Sequence, residues 1–480
     1  MKTFSFRSVA AAVLAVVGWV ATDFWLVGAC VAASDDPPNV ILIMADDLGW
    51  GDTGYYGHPF IQTPHLDQMA SDGVRFDRFY AGAPVCSPTR GSVLTGRHPF
   101  RYGVNHANKG HMKREEVTLA EVMKANGYRT GHFGKWHLGT LTNTVQESNR
   151  GGRAPQHYAP PWDHGFDVCF STEAKTPTWW NEGDYQRYGT HYWTGADQKV
   201  PGDSIIGDDS RIIMNPAIEF IRSSVEEQRP FFAIVWFHAP HKPIVAGEKY
   251  LEQYRDIPDF APNKPESAAH YYGCITAMDE QIGRLRSTLK RLGVEGNTLI
   301  GFCSDNGPEN RTAGRAAAKL PSSEEAVLTR LSGRKRSLKE GGIRVPGLMV
   351  WPKKIKPGLV TNIPCVTSDY FPTILSASRI QTDSKRPSDG IDLLPILLGE
   401  QVERPSRIGF QSGNQKAWIG NRYKAFSQQG QWALYDLTVD PSESKDLSGE
   451  HPERLRRMQA EFQQWAKDCE LSSTGDDYKR

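Results

Sequence analysis

Six apolar positions followed by two acids, NVILIMADD at residues 39–47, make the first strong pattern along the chain. A run this short and unbroken, without polar alternation, predicts a strand covered on both faces, as in a parallel sheet. The pattern recurs in PFFAIVWF (230–237), NTLIGFCSDNG (297–307) and VPGLMVWP (345–352). Between these runs, LDQMASDG (66–73), LAEVMKANG (119–127) and MDEQIGRLRSTLKRLG (278–293) carry helical spacing, and the last two close on glycine. The alternation predicts an α/β fold built on a large, mainly parallel sheet flanked by helices. From about residue 407 the period changes. RIGFQSG, KAWIGNRYKAFSQ and WALYDLTVDP predict a small C-terminal antiparallel sheet, followed by an amphipathic helix over 452–467. The alanine- and serine-rich stretch 312–333 reads as a loop or short helix.

In such sheets chemistry gathers at the carboxyl ends of the strands, so the residues just after each run are the ones to inspect. Asp46 and Asp47 are adjacent carboxylates after one strand, and Asp305 and Asn306 follow another. Such pairs either cap turns or hold a hard divalent cation through oxygen. His238 and His241 follow 230–237 as core histidines or as a proton donor. In GKWHLG (134–139), Lys135 and His137 point the same way if the segment is extended. The run 332–346, SGRKRSLKEGGIRVP, is a solvated face or a cationic wall near the same sheet edge.

Composition narrows the function classes. Lys plus Arg number 56 and Asp plus Glu 55, so no global charge steers the chain to nucleic acid or an anionic membrane. Seven cysteines, at 30, 86, 169, 274, 303, 365 and 469, are scattered without zinc-site or disulfide-scaffold spacing. Lys2 and Arg7, the apolar run 9–20 and the small residues Val31, Ala32 and Ala33 predict a signal peptide over 1–33. Asp23 interrupts the apolar stretch, so no stable membrane insertion is expected. The protein is expected to be exported, periplasmic or secreted, with lipid anchoring through Cys30 as the alternative.

Cys86 opens CSPTRGSVLTGR (86–97). Together with NVILIMADDLGWGD, GKWHLG, APHKP, SDNG, KRSLKEGGIRVPG and ALYDLTVDPSESKDL, in this order, that stretch resembles the formylglycine-dependent sulfatases of the alkaline-phosphatase superfamily. Only Lys339 departs, standing where an aromatic residue is more usual. The resemblance implies an alkaline-phosphatase-like catalytic domain over 37–378 and a C-terminal subdomain over 379–480. It implies that Asp46, Asp47, Asp305 and Asn306, with residue 86, hold Ca2+, and that a formylglycine-generating enzyme converts Cys86 to formylglycine, whose hydrate attacks sulfur. Arg90, Lys135 and Lys335 would then neutralise the sulfate, His241 would protonate the leaving alcohol, and His137 would take the proton of the second hydroxyl. Lys335 is chosen over Lys339 because the family's lysine lies five residues before the glutamate of the Glu-Gly-Gly turn, here Glu340. His241 is chosen over His238 by its place before Lys242 and Pro243; His238 is expected to face substrate. The aromatic stretch 171–193 offers Trp179, Trp180 and Trp193 either for stacking on sugar rings or for packing the loop onto the domain. The substrate implied is a sulfated carbohydrate or an aryl sulfate. The alternatives are a phosphodiester or phosphonate-ester hydrolase and a catalytically silent carbohydrate-binding relative.

Overall fold

Ten strands make one sheet: β1 (Asn39–Ala45), β2 (Val74–Phe76), β3 (Arg129–Lys135), β4 (Val168–Thr172), β5 (Trp193–Gly195), β6 (Gln198–Lys199), β7 (Phe231–Trp236), β8 (Thr298–Ser304), β9 (Gly347–Val350) and β10 (Leu359–Thr361). Their order is β10-β2-β9-β8-β1-β7-β3-β4-β5-β6. The computed structural model describes residues 36–145, 147, 154–258, 260–309, 331–382 and 385–479. The expected signal peptide, Cys30 and most of the 312–333 stretch lie outside the described residues. Residues 37–480 form one compact unit.

The centre of the sheet is parallel: β8, β1, β7, β3 and β4 run the same way in register, with Leu42 beside both Ile234 and Gly301. The unbroken apolar run of β1 is explained by its two faces. Val40, Leu42 and Met44 point into one core with Val93, Leu94, Phe232 and Trp236. Ile41, Ile43 and Ala45 point into another with Ile213, Ile218, Ile275 and Met278. Five longer helices are α1 (Pro64–Asp72), α2 (Cys86–Thr95), α3 (Asp209–Glu226), α4 (Ala268–Arg291) and α5 (Pro452–Ser473). α3 and α4 supply the second of those cores, and α2 supplies Val93 and Leu94 to the first.

The run 345–352 does not form one parallel strand. Pro346 has no N–H to give a ladder, so the run divides. Arg344–Val345 pairs with Phe79–Tyr80 in a separate three-stranded sheet, and β9 pairs antiparallel with β8. The tail forms the antiparallel sheet β11 (Ile408–Ser412), β12 (Gln415–Ile419), β13 (Tyr423–Gln428) and β14 (Gln431–Asp436), in that order. On it lies α5, with Phe462 and Trp465 against Trp418.

The C-terminal residues also close against the chain just beyond α2. Arg101 bonds to Asp389 and Ser472, Arg97 pairs with Asp477, and Tyr478 donates to Glu116. His98 packs edge-on against Trp465 at 4.6 Å. Burial holds its imidazole down to about 3 in the fold, below the value of about 6.5 in an unfolded chain. As pH falls, the unfolded state therefore takes up the proton first, and stability is lost from about pH 6.5 downward. Between about pH 6 and pH 4, urea titrations of the parent should lose up to about 1.4 kcal/mol per pH unit more than those of His98→Gln. Equal pH slopes would contradict the role given to His98.

Candidate active site

Four neighbouring parallel strands end at one place, and each delivers chemistry there. β1 brings Asp46 and Asp47, β8 brings Asp305 and Asn306, β3 ends on Lys135, and β7 leads to His238 and His241. Opposite them, Val85 is extended and Cys86 is the first residue of α2, every residue of which is buried; Gly96, at φ 68°, ends the helix in the left-handed conformation that suits glycine. The helix start thus presents Cys86, and its first turns present Arg90, to the strand ends.

The donor atoms of Asp46, Asp47, Cys86 and His241 lie within 4.8 Å of one another. Cys86 Sγ donates to Asp46 Oδ1 at 3.6 Å. Three cations enclose the acids. Arg90, fully buried, donates to Asp305 Oδ2 at 2.6 Å and to the Lys135 carbonyl at 3.0 Å, and its guanidinium lies over the Trp236 ring at 5.2 Å. Lys135 Nζ is 2.5 Å from Asp46 Oδ2, and Lys335 Nζ is 2.6 Å from Asp47 Oδ1. The charges act on one another. Burial alone raises Asp46, but Lys135, His241 and Arg90 outweigh it and hold the carboxyl well below the usual range. Burial pushes Asp305 up to about 7, aided by the Asp46 charge. Burial likewise raises Asp47 and the Cys86 thiol. Lys335 is held protonated against burial by the carboxylates around it, Asp47, Asp46 and Asp305.

The donors suit a hard cation. Three carboxylates and one amide oxygen converge, and Asn306 Oδ1 is buried with no hydrogen-bond partner among the described residues while its amide nitrogen donates to Asp47 Oδ1 at 2.6 Å. An oxygen-rich set of this kind fits calcium or magnesium better than zinc.

His241 and His137 lie on separate stretches of chain, after β7 and after β3. A carbonyl only accepts, so His241 donates from Nδ1 to the Lys242 carbonyl at 2.6 Å and turns Nε2 toward Asp47 Oδ2 at 3.7 Å. The condition under which Lys135 and His137 would share a face, an extended segment, is not met. The strand ends at Lys135, and His137 adopts φ 57°, so a bent backbone rather than strand alternation brings both to the site. Ser87 of α2 donates to the His137 carbonyl at 2.6 Å, and His137 Nε2 lies 3.2 Å from Asn108 Oδ1.

Of the residues expected to face substrate, His238 and Trp180 are fully buried and Trp179 is half-buried. His238 is fully buried between Asp209 Oδ2 at 2.8 Å and Thr172 Oγ1 at 2.8 Å. Trp180, also fully buried, donates to the other Asp209 oxygen at 2.7 Å. Trp193 is buried as well, and half-buried Trp179 packs on Gly247, where a Cβ would overlap its ring. Trp180 and Trp193 hold the 171–193 segment to the core because each indole N–H finds a buried carboxylate, Asp209 for Trp180 and Glu147 for Trp193. Two neighbours of the site went unpredicted. Asn108 lies in the polar stretch NHANKGH, which has no pattern to mark it, and Glu309 lies 3.7 Å from Lys335 Nζ and 2.7 Å from Arg336.

The sulfatase family model matches residues 38–380, which span β1 through the Lys335 loop and contain the whole cluster. The chain belongs to the sulfatase family. It is similar to N-acetylgalactosamine-6-sulfatase of Sus scrofa, 31% identical over 448 residues, covering 88% of this chain and 78% of that protein. It is similar also to arylsulfatase A of Bos taurus, 32% identical over 445 residues, covering 88% and 82%. Among solved structures, the crystal structure of Ps i-CgsB in complex with k-i-k-neocarrahexaose superposes with a TM-score of 0.77 at 26% identity, covering 92% of this chain and 97% of that one. This sulfatase is therefore a sulfuric ester hydrolase with the fold expected from its strand and helix pattern. Its six described cysteines are all buried and unpaired, so the fold rests on its core. No described helix is long and apolar enough to cross a membrane.

Proposed function

We propose that this sulfatase removes sulfate from a sulfated carbohydrate, with a formylglycine made from Cys86 by a formylglycine-generating enzyme and a calcium ion held by Asp46, Asp47, Asp305 and Asn306. The observation that carries the reading is the convergence of Asp46, Asp47, Cys86 and His241 within 4.8 Å under three buried or nearly buried cations. The carbohydrate class is supported by the relatives, one named for N-acetylgalactosamine 6-sulfate and one crystallised with a neocarrahexaose.

Calcium would neutralise the carboxylates and draw on the sulfate oxygens, and hydrated formylglycine would supply the attacking hydroxyl. The chain's own residues do the rest. Arg90, Lys135 and Lys335, all buried or nearly so, would present fixed positive charge to the sulfate oxygens in surroundings where such charge acts strongly. His241 directs Nε2 into the site and is placed to deliver a proton to the departing alcohol oxygen. His137, whose backbone carbonyl is tied to α2 through Ser87, would take a proton from a hydroxyl at position 86. The catalytic domain is assigned to 37–378, the C-terminal subdomain to 379–480 and the signal peptide to 1–33, with export to the periplasm or beyond.

The test is mass spectrometry of the peptide spanning Cys86 from protein made in its native cell, with sulfate release from an aryl sulfate measured in parallel. An aldehyde at position 86 together with turnover is the expected result. Unmodified cysteine with full turnover would overturn the formylglycine assignment, and unmodified cysteine without turnover would remove support for the hydrolysis itself.

A further inference from the structure

Residues 332–343, which deliver Lys335, are gripped by the C-terminal sheet. Gln415 of β12 accepts from the Leu338 N–H at 2.9 Å and donates to the Arg336 carbonyl at 2.9 Å. Lys424 of β13 puts its ammonium 2.9 Å from Glu340 and 2.9 Å from Glu443, with all three side chains fully buried. Glu443, in the turn after β14, accepts from the Glu340 N–H at 2.8 Å and from Ser332 Oγ at 2.7 Å. Tyr80 donates to the second Glu340 oxygen at 2.9 Å. On its inner side the loop is bonded to the main domain through Lys335 N–H to the Pro308 carbonyl and Arg336 N–H to the Pro84 carbonyl.

Between those two sets of bonds Arg336 has φ 76°, a conformation a non-glycine residue keeps only when its surroundings impose it. Its N–H is fixed by the catalytic domain and its carbonyl by Gln415. That single twisted residue follows Lys335 directly, so whatever sets it sets the origin of the Lys335 side chain. A lysine is a flexible stem with a point charge at its tip, and an error of about 1 Å in placing a reacting group can cost as much as roughly 100-fold.

We propose that Gln415, Lys424 and Glu443 are positioning residues: the C-terminal sheet is the mould that sets where Lys335 delivers its ammonium to the sulfate site. The inference rests on the reading that Lys335 binds sulfate oxygens. Gln415 sits half-buried on an antiparallel strand, and both of its hydrogen bonds to the loop go to backbone groups.

The experiment measures the affinity of full-length protein for inorganic sulfate by calorimetry, in parent, Lys335→Met, Gln415→Ala and the double variant. Lys335→Met is expected to weaken sulfate binding by about tenfold or more. Gln415→Ala should weaken it roughly fivefold in the parent and add nothing in the Lys335→Met background, the signature of one residue acting through the other. Gln415→Glu keeps the acceptor for Leu338 and loses the donor to Arg336, so it should fall between parent and Gln415→Ala. Unchanged affinity in Lys335→Met would overturn the reading of Lys335 itself. A strong effect of Lys335→Met beside parental affinity in both Gln415 variants, or effects that multiply in the double variant, would overturn the positioning role alone.

Discussion

Cys86→Ala should lower kcat for sulfate release by roughly 10^4-fold or more and leave the fold in place. The side chain is 2% exposed at the first residue of a buried helix, and alanine fills the same backbone position with better helix propensity. What is lost structurally is one weak S–H bond to Asp46 and a small buried volume, about 1 kcal/mol. Cys86→Ser is the sharper comparison. Serine offers one hydroxyl where an aldehyde hydrate offers two, so it should not restore repeated turnover. Steady multiple-turnover release by the serine variant would rule out a mechanism that needs the second hydroxyl.

Arg90→Met is expected to act first on stability. Arg90 is fully buried, bonded to Asp305 at 2.6 Å and 3.6 Å from Asp46. Taking away one partner of a buried ionic cluster leaves the remaining charges uncompensated, which costs about 3–5 kcal/mol. A urea titration should show the midpoint falling at unchanged slope. Arg90→Lys keeps the charge but loses the fork that reaches Asp305 and the Lys135 carbonyl together, so it should recover only part of the loss. Parental stability in Arg90→Met would mean that the acids are balanced by the two lysines without it.

The strand ends were readable because several short apolar runs, each closed by polar residues and separated by helical patterns, fit buried strands of a parallel sheet. Asp46, Asp47, Asp305 and Asn306 all lie where that reading puts them. Long-range choices were less visible. Pro346 divides a run that looks continuous by hydropathy alone, and the division follows from hydrogen bonding rather than from apolar pattern. The tryptophans left two readings open because an aromatic residue in a loop offers the same sequence signal whether its ring meets solvent or, like Trp180, a buried carboxylate such as Asp209. Asn108 and Gln415 left no trace because a single amide in a polar stretch has no period, and its importance depends on what folds against it.

The seal made by the C-terminal residues sets an order of events in biosynthesis. On the proposed reading, an enzyme must act on the β-carbon of Cys86, yet in the finished protein that residue is covered. The chain just beyond α2 is closed by groups far along the sequence: Asp477 on Arg97, Ser472 on Arg101 and Trp465 on His98. A nascent chain therefore cannot close this region until residue 477 has left the ribosome. Residues 97–101, directly after the helix that carries Cys86, thus gain these partners only once the C-terminal helix has been made.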